Sequence, residues 1–184
     1  MKSSKSIAVY ALMTALVAVA TIAIRIPMPA TDGYLNLGDA FVLFCGVVFG
    51  PLAGVIAGGI GSALADLIGG YAHWMLPTFL IKGLEGALAG LLFLALKKGK
   101  INRFIAAGIV SVLAFVEMVA GYFFASWVMK GSAAVAWTSV PGNLAQGGVG
   151  AVLSMALLFA TSKIRGLNEL VGKNQFYETH VPKE

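Results

Sequence analysis

Residues 104–129 read FIAAGIVSVLAFVEMVAGYFFASWVM, and a stretch this apolar is typical of a bilayer-spanning helix. It contains one acidic residue, Glu117, and no basic residue. The run exceeds the about 20 apolar residues that an α-helix needs to cross a membrane. The rest of the chain agrees, because 59% of its 184 residues are hydrophobic and only 11% are charged. Soluble domains carry roughly 25% charged residues, so the sequence predicts an integral membrane protein.

Several other classes of protein are excluded by what the chain lacks. The single cysteine, Cys45, rules out a disulfide scaffold, and no Cys/His cluster indicates a metal site. The net charge of +5 does not indicate nucleic-acid binding, because the basic residues lie between apolar runs and form no patch. No G-x-x-x-x-G-K-S/T phosphate loop occurs, so the chain does not hydrolyse ATP by that route.

Working outward from residues 104–129, the sequence contains five further apolar runs. We therefore predict an all-α membrane protein of one domain, residues 1–184, with six transmembrane helices. The predicted helices are 6–26, 38–49, 51–69, 77–96, 104–129 and 140–161. The second run is short for a full span, so it must tilt, recruit its flanking residues or end partway across the bilayer. A cleaved signal peptide is the alternative for the first run, but its length and the five runs that follow favour an uncleaved helix.

The basic residues predict how these helices are oriented. With an even number of spans both termini share one side, and cytoplasmic loops are the ones rich in Lys and Arg. One side holds only Arg25 and Lys130. The other holds Lys2, Lys5, Lys97, Lys98, Lys100, Arg103, Lys163, Arg165, Lys173 and Lys183. Both termini are therefore predicted to be cytoplasmic, and Trp74 and Trp127 are interpreted as interfacial anchors.

Polar residues inside the spans indicate a binding site, because a charge in the bilayer core is costly and must face protein or water. Lys82 and Glu85 lie three residues apart on the fourth helix, so they share a face and can pair. Glu117 lies near the middle of the fifth helix, and Asn143 and Gln146 share a face of the sixth. The structural alternative is that the pair only neutralises itself and that the amides only tie helices together.

These groups lie in the outer halves of the last three helices, beneath the first loop. They predict a site open to the outside for a small polar or heteroaromatic molecule. The predicted substrate-binding residues are Asn36, Lys82, Glu85, Glu117, Trp137, Asn143 and Gln146. Asp66, near the outer end of the third helix, is left open between this site and the membrane interface.

Small residues on the first helix form a second pattern. Ala11 and Ala15 are four residues apart, a spacing that lets another helix approach closely. Packing against the protein's own helices is the alternative to a partner protein.

Taken together, these features resemble the substrate-binding S components of energy-coupling factor (ECF) vitamin transporters, most closely the riboflavin-transporter-like branch. The resemblance covers roughly residues 5–165. Besides Ala11-x-x-x-Ala15, it rests on Leu37-Gly-Asp39, Phe49-Gly-Pro51-Leu-Ala-Gly54, Ala65-Asp66-Leu67, Pro77-Thr78 and Ile81-Lys-Gly-Leu-Glu-Gly86.

The resemblance implies a vitamin bound near the outer face by the first loop and helices four to six, in the plasma membrane of a prokaryote. It also implies a coupling module of one transmembrane protein and two ABC-type ATPases, so that ATP is used by the partners and this chain needs no cofactor. Ala11 and Ala15 match the family's contact with the coupling protein. The ligand-binding residues vary within the family, so those named above are proposed from their polarity and depth alone.

The expected ligand is a one-ring vitamin, hydroxymethylpyrimidine or pyridoxine, because the chain offers few large flat surfaces. Pantothenate is a rival if Lys82 is free to meet its carboxylate, and riboflavin is a second. Two other classes stay open. A proton-coupled carrier would use Glu117 or Glu85 as its proton site, and a membrane protease would use Ser62 with His73.

Overall fold

The computed structural model describes residues 3–99 and 101–163, and within them six helices of 11 residues or more form one bundle. The helices are α1 Ser3–Ala23, α2 Asp39–Phe49, α3 Pro51–Gly69, α4 Met75–Lys97, α5 Arg103–Lys130 and α6 Val140–Ser162. Shorter elements are strands β1 Ile26–Met28 and β2 Gly33–Leu35, a 3-10 turn Ala72–Trp74 and a short helix Ala133–Trp137.

The first loop is a β-hairpin, which the all-α prediction missed. The first helix ends at Ala23 instead of residue 26, and Ile26 opens β1, which pairs antiparallel with β2. Pro27 disfavours helical backbone at the residue before it, so Ile26 is extended. Asp32 lies at the hairpin tip with φ of 52°, in the left-handed region that suits a turn. We call this end of the bundle the hairpin end.

The second helix, α2, lies in the middle of the bundle. Its 11 residues rise about 16 Å, roughly half of a bilayer core. Nearly all of its side chains are buried, and it packs against α3, α4 and α6. A helix surrounded by protein is apolar on every face, which explains the unbroken apolar run. Gly50, with φ of 94°, then reverses the chain into α3.

The third helix, α3, approaches α4 without intervening side chains. A π-helical segment, Val55–Ile60, interrupts it at the level of Gly58. A Cβ atom on Gly54 would overlap the backbone of Gly86, and one on Gly58 would overlap the carbonyl of Lys82. Only glycine permits this approach, which brings the polar residues of α3 and α4 to one space.

The lengths of the helices agree with a membrane protein. In the described part of the chain, four helical segments are long and apolar enough to cross a membrane, Pro51–Gly69, Ala72–Lys97, Arg103–Lys130 and Ala133–Ser162. Two shorter apolar helices, Ile7–Ala23 and Asp39–Phe49, complete the bundle. The count of six spans therefore stays a prediction. Of the basic residues used to orient the chain, Lys2, Lys100, Arg165, Lys173 and Lys183 lie outside the described residues, as does the side chain of Lys5.

Buried side chains divide the bundle into a polar and an apolar part. Away from the hairpin, the core is built of apolar side chains, including Val42, Leu43, Val47, Phe93 and Val110. Most of the buried polar side chains instead gather at the hairpin end: Asp39, Ser62, Asp66, Thr78, Lys82, Glu85, Asn143 and Gln146. The apolar core thus packs the helices together, and the polar side chains available for binding lie at the hairpin end.

Candidate functional site

A small cavity lies beneath the hairpin, between α1, α3, α4, α5 and α6. Its volume is about 30 Å³, which accommodates water but is far below the about 300 Å³ of small-molecule pockets. Polar and aromatic side chains make up most of its lining: Thr21, Thr31, Tyr34, Asn36, Ser62, Asp66, Trp74, Thr78, Lys82, Tyr122, Ser126, Ser139, Asn143 and Gln146. Binding of a larger molecule therefore requires this cavity to widen.

The hairpin is tied down at its tip. The carbonyl oxygen of Asp32 accepts a hydrogen bond from Trp74 Nε1 at 3.0 Å and lies 3.2 Å from His73 Nε2. Its carboxylate pairs with Lys130 Nζ at 2.5 Å. The hydrogen bond and the charge of Lys130 lower the pKa of Asp32 below its ordinary value. Because Asp32 is 64% exposed, its ion pair with Lys130 is weak in water. The hairpin tip is therefore held in place mainly by its hydrogen bond with the buried Trp74.

A buried ionic cluster forms the floor of the cavity. Lys82 Nζ pairs with the carboxylate of Asp39 and, at 2.9 Å, with Glu85 Oε2, and all three residues are at most 1% exposed. The pairing of Lys82 with Glu85, predicted from their spacing, is confirmed. Asp39 begins α2 and is the second partner of Lys82, a role that was not predicted from the sequence. The ammonium is therefore already engaged by two carboxylates.

Gln146 connects this cluster to the first loop. Its Nε2 donates to Asp39 Oδ2 at 3.1 Å, and its Oε1 accepts from the backbone N–H of Asn36 at 2.8 Å. The Asn36 side chain in turn accepts from the backbone N–H of Gly38 at 2.8 Å. The amide of Gln146 thus fixes the segment between β2 and α2 against α6.

The aromatic wall of the cavity contains Trp74, Tyr122 and Tyr34. Trp74 is 4% exposed and meets the Tyr122 ring edge-on at a centroid distance of 5.8 Å. Its predicted role as an interfacial anchor is wrong, because the indole turns inward to reach Asp32. Tyr34 donates to Asp66 Oδ1 at 2.6 Å. Burial, together with the carboxylate of Asp66, raises the pKa of Tyr34 above its ordinary value, so its hydroxyl keeps the proton that it donates.

The structure brings together four of the seven predicted substrate-binding residues. Asn36, Lys82, Asn143 and Gln146 line the cavity. Glu85 lies behind Lys82 as its ion-pair partner. Glu117 and Trp137 do not line the cavity, and Trp137 is 62% exposed on the short helix. Contact of Glu85, Glu117 and Trp137 with the ligand therefore stays a prediction, and the position of the cavity does not favour it.

Asp39, Tyr122 and Trp74 belong to this site but were not predicted as site residues, and the role of Asp66 was left open. Asp66 carries a detectable signal, because it is a carboxylate within a spanning segment. The inward position of Trp74 has no comparable signal, since aromatic residues at a helix end also occur at the membrane interface.

The stripe of small residues on α1 faces away from the bundle. Ala11 and Ala15 are exposed, whereas Met13 and Val17 of the same helix are buried. The exposed side forms a shallow groove with α3, lined by Ile7, Tyr10, Ala11, Thr14, Ala15, Ala18, Ile56 and Leu64. Ala11 and Ala15 are thus exposed in this groove, and their contact with a partner protein stays a prediction.

Comparison with known protein families gives one match over most of the chain. The model of the ECF-type riboflavin transporter S component matches residues 1–163. Among curated proteins, a Pyrococcus woesei sequence described as "Uncharacterized protein in gap 3'region" is 42% identical over 146 residues, which are 74% of this chain and 93% of that protein. The thiamine precursor transporter HmpT of Lactococcus lactis is 32% identical over 158 residues, 85% of this chain and 87% of HmpT.

The fold is also similar to a solved one. A chain described under "Structure and mechanism of the S component of a bacterial ECF transporter" superposes with a TM-score of 0.63. The match covers 88% of this chain and 96% of the other, at 20% sequence identity. Sequence identity this low supports the likeness of fold alone.

Proposed function

The chain belongs to the family of ECF-type riboflavin transporter S components, and from this premise we propose that it binds a one-ring vitamin in the cavity beneath the hairpin. As a member of that family it is an integral, multi-pass protein of the cell membrane that serves vitamin uptake, and the family is one of transporter subunits, not enzymes. The observation that carries the proposal is the cavity itself. Its buried amides, hydroxyls and aromatic rings match a polar heteroaromatic ligand.

Hydroxymethylpyrimidine or pyridoxine fits these features better than the larger or anionic vitamins. The relative HmpT is named as a thiamine precursor transporter. A three-ring flavin would require the cavity to widen more than a one-ring vitamin would. Pantothenate would need a free cation for its carboxylate, but Lys82 already pairs with Asp39 and Glu85.

Replacing Asn143 with alanine should weaken binding of hydroxymethylpyrimidine or pyridoxine at least tenfold. Asn143 is 3% exposed and lines the cavity, and leaving a buried ligand group without its hydrogen-bond partner costs about 1.4 kcal/mol or more, which corresponds to at least tenfold. Calorimetry of the purified protein with these two vitamins, pantothenate and riboflavin measures the effect and identifies the ligand.

Leu144→Ala is the matched control for Asn143→Ala. Leu144 follows on the same helix and is 46% exposed, outside the cavity lining, so its truncation should leave the affinity within about twofold. Equal affinity in the Asn143→Ala variant and the parent would place the ligand elsewhere, and tight binding of riboflavin would contradict the one-ring assignment.

Uptake further requires a source of energy, which we assign to partner proteins. The proposed partners are a transmembrane coupling protein and two ABC-type ATPases that use ATP on behalf of this chain. The exposed groove at Ala11 and Ala15 is the proposed contact with the coupling protein, since small residues let a partner helix approach. Delivery of the vitamin would then proceed by tilting of the docked S component in the bilayer.

The proposed topology has six spans with both termini in the cytoplasm, which places the hairpin end outside. Thr138 lies at the hairpin end, and Gly99 lies beyond α4 at the opposite end; both are exposed. In a Cys45→Ala background, a membrane-impermeant thiol reagent applied to intact cells should label Thr138→Cys but not Gly99→Cys. The reverse pattern would invert the orientation and remove the outward-facing site.

A proton-coupled carrier is the second candidate function. It is favoured by two carboxylate oxygens, Glu117 Oε2 and Glu85 Oε1, which are buried without a hydrogen-bond partner among the described residues. Such a carrier would accumulate vitamin in liposomes that contain this chain alone, with a proton gradient and no ATP. An S component would show no uptake under those conditions.

A further inference from the structure

Asp66 is a cavity residue whose hydrogen bonding is incomplete. It lies on α3, is 3% exposed and lines the cavity. Oδ1 accepts the hydrogen bond from Tyr34, whereas Oδ2 is buried with no hydrogen-bond partner in the part of the chain that the structure describes. The hydroxyl of Thr78 lies near the same carboxylate but does not satisfy Oδ2. A buried acceptor left in this state costs free energy until a donor reaches it.

The carboxylate of Asp66 is held in a fixed orientation by its neighbour Tyr34. The Tyr34 ring packs against Tyr71 at a centroid distance of 4.5 Å, and the guanidinium of Arg25 lies over its face at 5.8 Å. Arg25 itself donates to the backbone carbonyl of Gly69 on α3 at 3.2 Å. Because these two contacts restrict the Tyr34 ring, its hydrogen bond orients Asp66 before any ligand arrives, which reduces the cost of ordering on binding.

The charges around the cavity determine which ligand groups are acceptable there. Lys82 is the basic residue in the cavity lining, and its two ion pairs leave it no free charge for a ligand. Asp66 adds a further carboxylate to the lining. A ligand carboxylate would be repelled at this position, whereas an N–H group would be attracted.

We propose that Asp66 Oδ2 accepts a hydrogen bond from an N–H group of the bound ligand, so that this cavity favours amino-substituted nitrogen heterocycles. This inference rests on the proposed function and narrows its substrate class. Hydroxymethylpyrimidine meets the requirement, because its ring carries an amino group. Asp66 is then a specificity-determining residue that touches the ligand, and Tyr34 is a positioning residue that acts through it.

The test compares two ligands that differ only in the amino group. Calorimetry with the wild-type protein should give an affinity for hydroxymethylpyrimidine about 10- to 100-fold above that for its analogue with hydrogen in place of the amino group, the range expected for a hydrogen bond to a charged acceptor. The Asp66→Asn substitution places an amide N–H group beside the amino group of the ligand. In this variant the ratio of the two affinities should fall to about threefold or less, mainly because the amino compound binds more weakly.

The matched control for Asp66→Asn is Ser154→Ala. Ser154 also carries a buried oxygen without a hydrogen-bond partner among the described residues, but it lies on α6 outside the cavity lining, so the ratio should match that of the wild type. A wild-type ratio near one would overturn the inference while the proposed function stands, and this measurement does not depend on whether the variants fold. An unchanged ratio in Asp66→Asn, or an equal fall in Ser154→Ala, would also overturn it. A wild-type protein that binds pyridoxine but neither of these compounds would overturn the inference and leave the proposed function standing, whereas one that binds none of the three would contradict the proposed function itself.

Discussion

Replacing Lys82 with methionine should destabilise the protein by about 3–5 kcal/mol. The substitution removes the cation that neutralises Asp39 and Glu85, both of which are fully buried. Two carboxylates would then face each other and the apolar helices around them without a counter-charge. In detergent solution we expect the melting temperature to fall by about 10 °C or more, measured by thermal unfolding of the purified protein.

Neutral partners should rescue the Lys82→Met protein. Adding Asp39→Asn and Glu85→Gln replaces the carboxylates with amides, which need no cation, so at least half of the lost stability should return. Lys98→Met is the control, because Lys98 lies exposed after the end of α4 and its replacement should leave the melting temperature within about 2 °C. A Lys82→Met protein as stable as the parent would show that the ionic cluster does not stabilise the fold.

Tryptophan at Ala11 or Ala15 should reduce ATP-driven uptake at least tenfold while leaving vitamin binding intact. Both alanines are exposed on the groove between α1 and α3, and neither lines the cavity. A bulky side chain there would keep a partner helix at a distance. Uptake in liposomes with the coupling module, together with calorimetry of the isolated protein, separates docking from binding; the affinity should stay within about threefold.

Val152→Trp is the matched control for the α1 variants, because Val152 is 68% exposed on α6, away from the groove. It should leave uptake unchanged. Normal uptake by both α1 variants would place the docking surface elsewhere and leave the family membership unaffected. Uptake by the isolated chain without ATP would instead favour the proton-coupled carrier.

The helical architecture was largely predictable because hydropathy is a local property of the chain. Each apolar run indicates a helix that is surrounded by lipid or protein, and prolines and glycines indicate where that helix ends. The six predicted helices therefore correspond to α1–α6 within a few residues. The hairpin was missed because its three-residue strands are too short to show an alternating pattern.

The sequence by itself determined the membrane class, the helical segments and the pairing of Lys82 with Glu85, which are one helical turn apart. Only the tertiary structure decided that Asp39, 43 residues away from Lys82, completes that cluster, and that Tyr34 meets Asp66. It also decided that Trp74 turns inward while Glu117 and Trp137 lie outside the cavity. The physical reason is that the spacing of residues along a helix tells which side chains share a face. The rotation of that face about the helix axis depends on close packing against other helices, here set by the glycine contacts between α3 and α4.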